Sequence, residues 1–221
     1  NCEKNKQSNV SAIITDSRSL SIDSCTFTHT NIATSSRALE TYSITTRITN
    51  TLFEKCANAV ATLPNAVWIN EKVLSCQIEN CNFINNGNVR GDVIRTETRD
   101  FLFDNSTIEF STTTASTRGM FVPYYCKLSI FNSSFIKCLF NNASNHCAAL
   151  EYHGHGSTKP GYTEDIRIEG STFDSNHGAH TSHAIFDRVT TYPILYNLTF
   201  KGSIRGKYTL LRFFTSRRIP C

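Results

Sequence analysis

What is missing from this chain narrows its class before any motif is read. No apolar run reaches the roughly 20 residues that a membrane-spanning helix needs. No basic stretch followed by an apolar run opens the segment as a secretory signal would, and a mature or excised segment has the same appearance. The nine cysteines contain no Cys-x-x-Cys pair, which removes zinc ribbons and thiol-redox motifs. Charge of one sign is also missing. Lys and Arg number 22 against 18 Asp and Glu, a net charge of +4 spread along the chain, so no nucleic-acid-binding stripe forms. The late basic group Arg205, Lys207, Arg212, Arg217 and Arg218 reads as a solvated end. Helical periodicity is absent too, so the chain is expected to be built of strands and turns.

What is present is a repeat. Its clearest copy is Leu74 to Asn86, and Ile78 serves as position zero. The seven zero positions are Ile22, Ile48, Ile78, Phe103, Ile130, Ile168 and Leu195. Two residues later stand Ser24, Asn50, Asn80, Asn105, Asn132, Gly170 and Asn197. Five residues later stand Phe27, Phe53, Phe83, Ile108, Phe135, Phe173 and Phe200. Successive copies are separated by 26, 30, 25, 27, 38 and 27 residues, a solenoid period. A second short run follows each copy after 15 to 19 residues, for example Val67-Trp68-Ile69 and Ala149-Leu150-Glu151.

The parity of the pattern sets the geometry. Side chains of a strand alternate faces. Position zero and the residue two before it are mostly apolar, and so are the residues three and five after it. Those parities differ by one, so a bend must lie between them, at the Asn/Ser/Gly position. Asn and Gly tolerate left-handed backbone angles. The expected fold is therefore all-β, a right-handed parallel β-helix of about seven coils. Coils about 4.8 Å apart make a rod of about 34 Å. Like residues then stack on like: the six Phe form an internal column, and neighbouring Asn form amide ladders. A leucine-rich repeat has a similar period but needs paired leucines and a second Asn-flanked framework, which are missing.

The repeat spans the chain, so residues 1–221 are read as one elongated domain with an irregular segment at 1–11. Ala12-Ile13-Ile14 falls where the second strand of a preceding coil would lie, and Ile219-Pro220-Cys221 falls near the start of an eighth copy. The expectation is a piece of a longer β-helix. The long fifth gap holds an insertion at 152–162, Tyr-His-Gly-His-Gly-Ser-Thr-Lys-Pro-Gly-Tyr. Solenoid insertions bulge outward and often bind partners, which makes Tyr152, His153, His155 and Tyr162 the candidate binding residues.

Other residue types suggest further chemistry. Successive coils would bring His153, His155, His177, His180 and His183 near one another, a possible Zn²⁺ set with no compact metal-motif spacing. Otherwise no cofactor is expected. Cys25 and Cys81 take the small inward position; Cys126 and Cys147 flank the fifth coil and could pair across it. Sequons occur at Asn9, Asn105, Asn132, Asn142 and Asn197. Asn9 and Asn142 lie outside the repeat and are the better glycan acceptors. With the cysteine usage they point to an extracellular or cell-surface protein.

The repeat resembles that of the pectate-lyase-like superfamily of right-handed β-helices. Phe83-Ile-Asn-Asn86 and Phe173-Asp-Ser-Asn176 are similar to the repeat of chlamydial polymorphic outer-membrane proteins, and related repeats occur in surface proteins of parasitic protozoa such as trichomonads. The companion Gly-Gly-Ala-Ile motif is absent. The resemblance implies a surface or secreted module for adhesion or display toward proteins or glycans. It also implies an alternative, a polysaccharide lyase or glycoside hydrolase. Gly154-His155-Gly156 is similar to a segment of polygalacturonases, yet their Asn-Thr-Asp and Asp-Asp elements have no counterpart, and Arg167-Ile168-Glu169 stands in place of Arg-Ile-Lys. A lyase would need clustered acids for Ca²⁺ beside a basic residue. The best outward acid pair is Glu79 with Asp104, so an enzyme would draw on Glu79, Asp104 and His155.

Overall fold

The computed structural model describes residues 2–3, 12–28, 31–32, 37–58, 66–86, 91–110, 117–140, 147–155, 162–178, 181–202 and 211–215. Among these described residues the strands form a parallel β-solenoid with no helix. Three long sheets run along it. Sheet I has seven strands, Ser19–Asp23, Thr45–Thr49, Ser75–Glu79, Asp100–Asp104, Lys127–Phe131, Asp165–Glu169 and Ile194–Tyr196, one for each zero position. Sheet II carries the Phe position in eight short strands, from Cys2–Glu3 through Asn82–Ile84 to Thr199–Lys201. Sheet III carries the second run in eight strands, including Val67–Ile69, Gly91–Thr96, Thr117–Tyr124, Cys147–His155 and Thr181–Val189. The closed core spans about five turns, fewer than the seven expected. Ile48, Ile78, Phe103, Ile130 and Ile168 are sealed from solvent, whereas Leu195 in the last rung is only half-buried.

The bend sits where the parity demands it. Ser24, Asn50, Asn80, Asn105, Asn132, Gly170 and Asn197 all have left-handed backbones, with φ from 44° to 62°. At six of these bends, all but Asn197, the backbone N–H still continues the ladder, as Asn80 N–H donates to Asp104 O and Asn132 N–H to Glu169 O. A second left-handed corner follows two residues after the Phe, at Lys55, Asn85, Lys137, Ser175 and Gly202. The amide ladder is shorter than expected. Asn105 donates to Asn80 Oδ1 at 2.7 Å, but Asn50 and Asn132 turn to the carboxylates of Asp23 and Asp104.

Inside, polar residues hold the turns together. The hydroxyls of Ser106, Ser133 and Ser171 accept the N–H of Cys81, Ser106 and Ser133 and donate to carbonyls of their own turn. Asn86 is fully buried. Its Nδ2 donates to Phe53 O at 2.8 Å and its Oδ1 accepts from Cys56 N–H at 2.9 Å. Asn176 repeats this with Phe135 O and Cys138 N–H. The Asn of the Phe-x-x-Asn pieces is thus a clamp between turns.

The Phe column is interrupted. Phe27, Phe53 and Phe83 stack at 4.7 Å, and Phe135, Phe173 and Phe200 at 5.0 and 5.5 Å. Between them stands Ile108, and the ring of Phe103 tilts into the gap, 6.2 Å from Phe83 and 6.0 Å from Phe135.

Several expectations need correction. Residues 2–3, expected to be irregular, form a strand that pairs Cys2 with Phe27. Tyr152, expected in the loop, is fully buried in the strand Cys147–His155. Ile13–Thr15 does pair with Leu39–Thr41 as the preceding turn's second strand. Cys126 carries a free thiol, so it forms no bridge to Cys147. Burial pushes the thiols of Cys76, Cys126 and Cys138 upward, and that of Cys81 to about 11, as expected of thiols acting as small apolar residues.

Candidate functional site

The outer face of sheet III holds the densest charge network. Register places Glu40, Trp68, Arg95, Phe121, Glu151 and Ile185 in one column, each a rung of about 4.8 Å from the next. At one end Arg37 lies 4.3 Å over the Trp68 ring and pairs with Glu40 at 2.5 Å. Tyr42 donates to Glu40, and that bond, with burial, pushes its phenol up to about 12.

The middle of the column is built around Phe121. Arg118 lies 4.1 Å over this ring, and Arg95 lies 5.4 Å away. Arg118 also reaches two buried acids, Asp92 at 2.5 Å and Glu151 at 3.1 Å. His153 packs edge-on to Phe121, hydrogen-bonds to Glu151 through Nε2, and places Nδ1 3.6 Å from Asp187. Burial opposes ionisation of Glu151 most strongly. The hydrogen bond to His153 and the charge of Arg118 outweigh it and hold the carboxyl below its usual range. Burial wins at Asp92, whose carboxyl is pushed up although Arg118 offsets part of the effect. An imidazole between two carboxylates is an arrangement that can hold or move a proton.

Of the insertion's residues, His153 therefore joins this network and Tyr152 does not. The Tyr152 hydroxyl accepts from Cys126 N–H in the core at 3.1 Å. Tyr162 straps the far end of the insertion down: its hydroxyl donates to Glu71 O at 3.2 Å, and Arg99 lies 5.1 Å over its ring. The side chain of His155 lies outside the described residues.

The expected histidine cluster is not assembled from its described members. His183 is buried beside Phe173 and Phe200 and bonds to Asn176 at 3.1 Å, while His153 sits on the outer face of sheet III. The side chains of His177 and His180, and both Asn9 and Asn142, lie outside the described residues. Among the described residues no group of three or more His, Cys, Asp or Glu is placed to hold a metal ion. Likewise, among them no helix is long and apolar enough to cross a membrane.

On sheet I, register confirms that Glu79 and Asp104 are direct neighbours. Their column continues Phe131, Glu169, Tyr196. Glu79 is bound by Arg47 at 3.0 Å, and Glu169 by Arg167 at 2.8 Å. Asp104, Phe131, Asn132, Arg167 and Glu169 line an open depression of about 290 Å³. Arg167 sits 5.6 Å from the centre of the Phe131 ring. Beside the depression the last described rung of sheet I exposes Tyr192 by 92%, Ile194 by 56% and Tyr196 by 65%.

Sequence reasoning missed Asp92, Arg118, Glu151, Asp187 and the aromatic end of sheet I. A signal for the first group exists. The second runs read as apolar triplets, yet their outward residues include Glu40, Arg95 and Glu151. For the aromatic end, Phe131 and Tyr196 occupy the outward position that elsewhere bears Asp23, Glu79, Asp104 and Glu169.

The fold and these two faces define the chain as a parallel β-solenoid with a charged face and an aromatic face. No family model, curated protein or solved structure matches it.

Proposed function

We propose that the chain is a non-enzymatic surface or secreted β-helix module that binds glycans or proteins for adhesion or display. The observation carrying this reading is the exposed aromatic end of sheet I, Tyr192, Ile194 and Tyr196, beside the depression at Phe131. Exposed apolar clusters of this kind mark interaction sites, and aromatic residues with Arg are enriched where proteins meet partners. A solenoid presents them on a stiff face and leaves loops free to vary. Its place is extracellular or at the cell surface. The test is a glycan- and protein-array screen of the purified chain with Ca²⁺ present, repeated with Tyr196→Ala. Retention without cleavage, weakened in the variant, supports the reading. Retention that Tyr196→Ala leaves unchanged moves the contact to another face.

One observation favours a second reading, a polysaccharide lyase or glycoside hydrolase: the Glu151–His153–Asp187 arrangement can transfer protons. Cleavage of a retained glycan, abolished by Glu151→Gln, would establish it and displace the first reading.

A further inference from the structure

Resting on that binding reading, we infer that the sheet I depression selects glycans without acidic groups and prefers those bearing amines. The argument starts from charge. Four carboxylates stand in the column, and three of them already have partners: Asp23 accepts from Thr49 and Asn50, Glu79 holds Arg47 and Glu169 holds Arg167. Asp104 has no ion-pair partner among the described residues. Its carboxylate accepts a long hydrogen bond from Asn132 Nδ2 at 3.4 Å. The site thus carries one uncompensated negative charge at the edge of its open depression.

The remaining walls fit a sugar. Carboxylates only accept hydrogen bonds, so Asp104 and Glu169 call for hydroxyl or ammonium donors. Asn132 and Arg167 supply donors for ring or hydroxyl oxygens. Phe131 and Tyr196 stand in one column two rungs apart, about 9.6 Å along the solenoid axis. That spacing suits two rings of an extended oligosaccharide lying along the axis, with an apolar sugar face against each aromatic face. An ammonium at the Phe131 position would meet both an aromatic ring and the free Asp104 carboxylate. A uronate or sulfate at the same place would meet the Asp104 carboxylate, with Arg167 already committed to Glu169, and a like charge set against a ligand weakens its binding.

The experiment measures binding of the 221-residue chain to three oligosaccharides of equal length: an N-acetylated glucosamine oligomer, its deacetylated form and an oligogalacturonate. The deacetylated form is expected to bind about two- to fivefold more tightly than the acetylated one, the worth of one half-exposed ion pair. The oligogalacturonate should bind weakest. Asp104→Asn should bring the ratio of the first two to about one, with the far-ultraviolet spectrum unchanged. Phe131→Ala should weaken both. Tightest binding by the oligogalacturonate, or a ratio unmoved by Asp104→Asn, overturns the inference while leaving the binding reading intact. Failure of all three oligomers overturns it as well, and the binding reading then survives only if a protein is retained on the array.

Discussion

Asn86 shows how much of this fold hangs on single buried polar groups. Its amide satisfies a carbonyl of one turn and an N–H of another, neither of which can reach water. Asn86→Ala strips the partner from both. Each buried group left over costs about 1–3 kcal/mol, so the urea midpoint should fall by at least the equivalent of about 2 kcal/mol. A shift well under that would mean that water enters and replaces the amide. The sheet III network makes a similar prediction with charge. Arg118→Leu leaves Asp92 and Glu151 without the cation they share, and should cost about 3–5 kcal/mol in the same measurement. Glu151 also sets a pH dependence. Its folded pKa lies below the ordinary 4.5, so its stabilisation is present above 4.5 and is lost as pH falls through the folded value. Asp92 has the opposite sign: its folded pKa lies above the ordinary 3.8, so it favours the folded state in acid and loses that as pH rises through the folded value. Glu151→Gln should therefore cost stability near neutrality and progressively less in acid. Denaturation curves from neutral pH to about pH 3 check this, and a gap that is constant with pH contradicts it.

At the scale of the turn, the Phe column tests whether the stack or the filled volume matters. Ile108 breaks the column, and Phe103 from sheet I fills the space. Ile108→Phe alone places two rings where one fits, and overpacking of this kind costs about 1–3 kcal/mol. Combining it with Phe103→Ile conserves volume and restores an unbroken column, so the double variant should recover most of the loss. The coupling between the two sites should lie within about 0.5–3 kcal/mol. Additive losses would show that Phe103 does not occupy the missing ring's place. This turn also marks the limit of what the sequence discloses. Position zero, the left-handed bend and the Phe position were legible because each recurs and each has a local physical reason. The second corner at Lys55 and Lys137 was not, because lysine carries no left-handed preference of its own and stacking imposes the angle. The buried place of Tyr152 was hidden for a related reason: Gly154 and Gly156 read as loop, yet the pairing of Cys147–His155 with its neighbours carries the strand to His155. The compensation by Phe103 depends on a ring crossing between sheets, which no one-dimensional pattern records.

For the whole molecule, a solenoid's stability is close to a sum over neighbouring turns, so order should fade toward an end instead of failing everywhere at once. The structure grades the turns in that sense. Ile48, Ile78, Phe103 and Ile130 are sealed, while the strand Ile194–Tyr196 has a half-buried Leu195 between two exposed residues. The candidate site straddles this gradient, since Phe131 lies in a sealed turn and Tyr196 in the last described rung of sheet I. That also explains why the site was harder to read than the fold: the repeat specifies the inward residues, and nothing in it specifies the outward ones that meet a partner. Amide hydrogen exchange of the 221-residue chain should be slowest in Thr45–Thr49 through Lys127–Phe131 and fastest in Ile194–Tyr196. Phe83→Ala removes the last ring of the first stack, at a cost of about 3–5 kcal/mol, and should speed exchange in the turns on both sides. Phe200→Ala, at a half-buried position, should speed it only near the last rung. Uniform exchange in all three proteins would mean that the turns unfold as one unit. A ligand resting on Phe131 and Tyr196 should slow exchange at Ile194–Tyr196 most, because it ties the loosest rung to a sealed one.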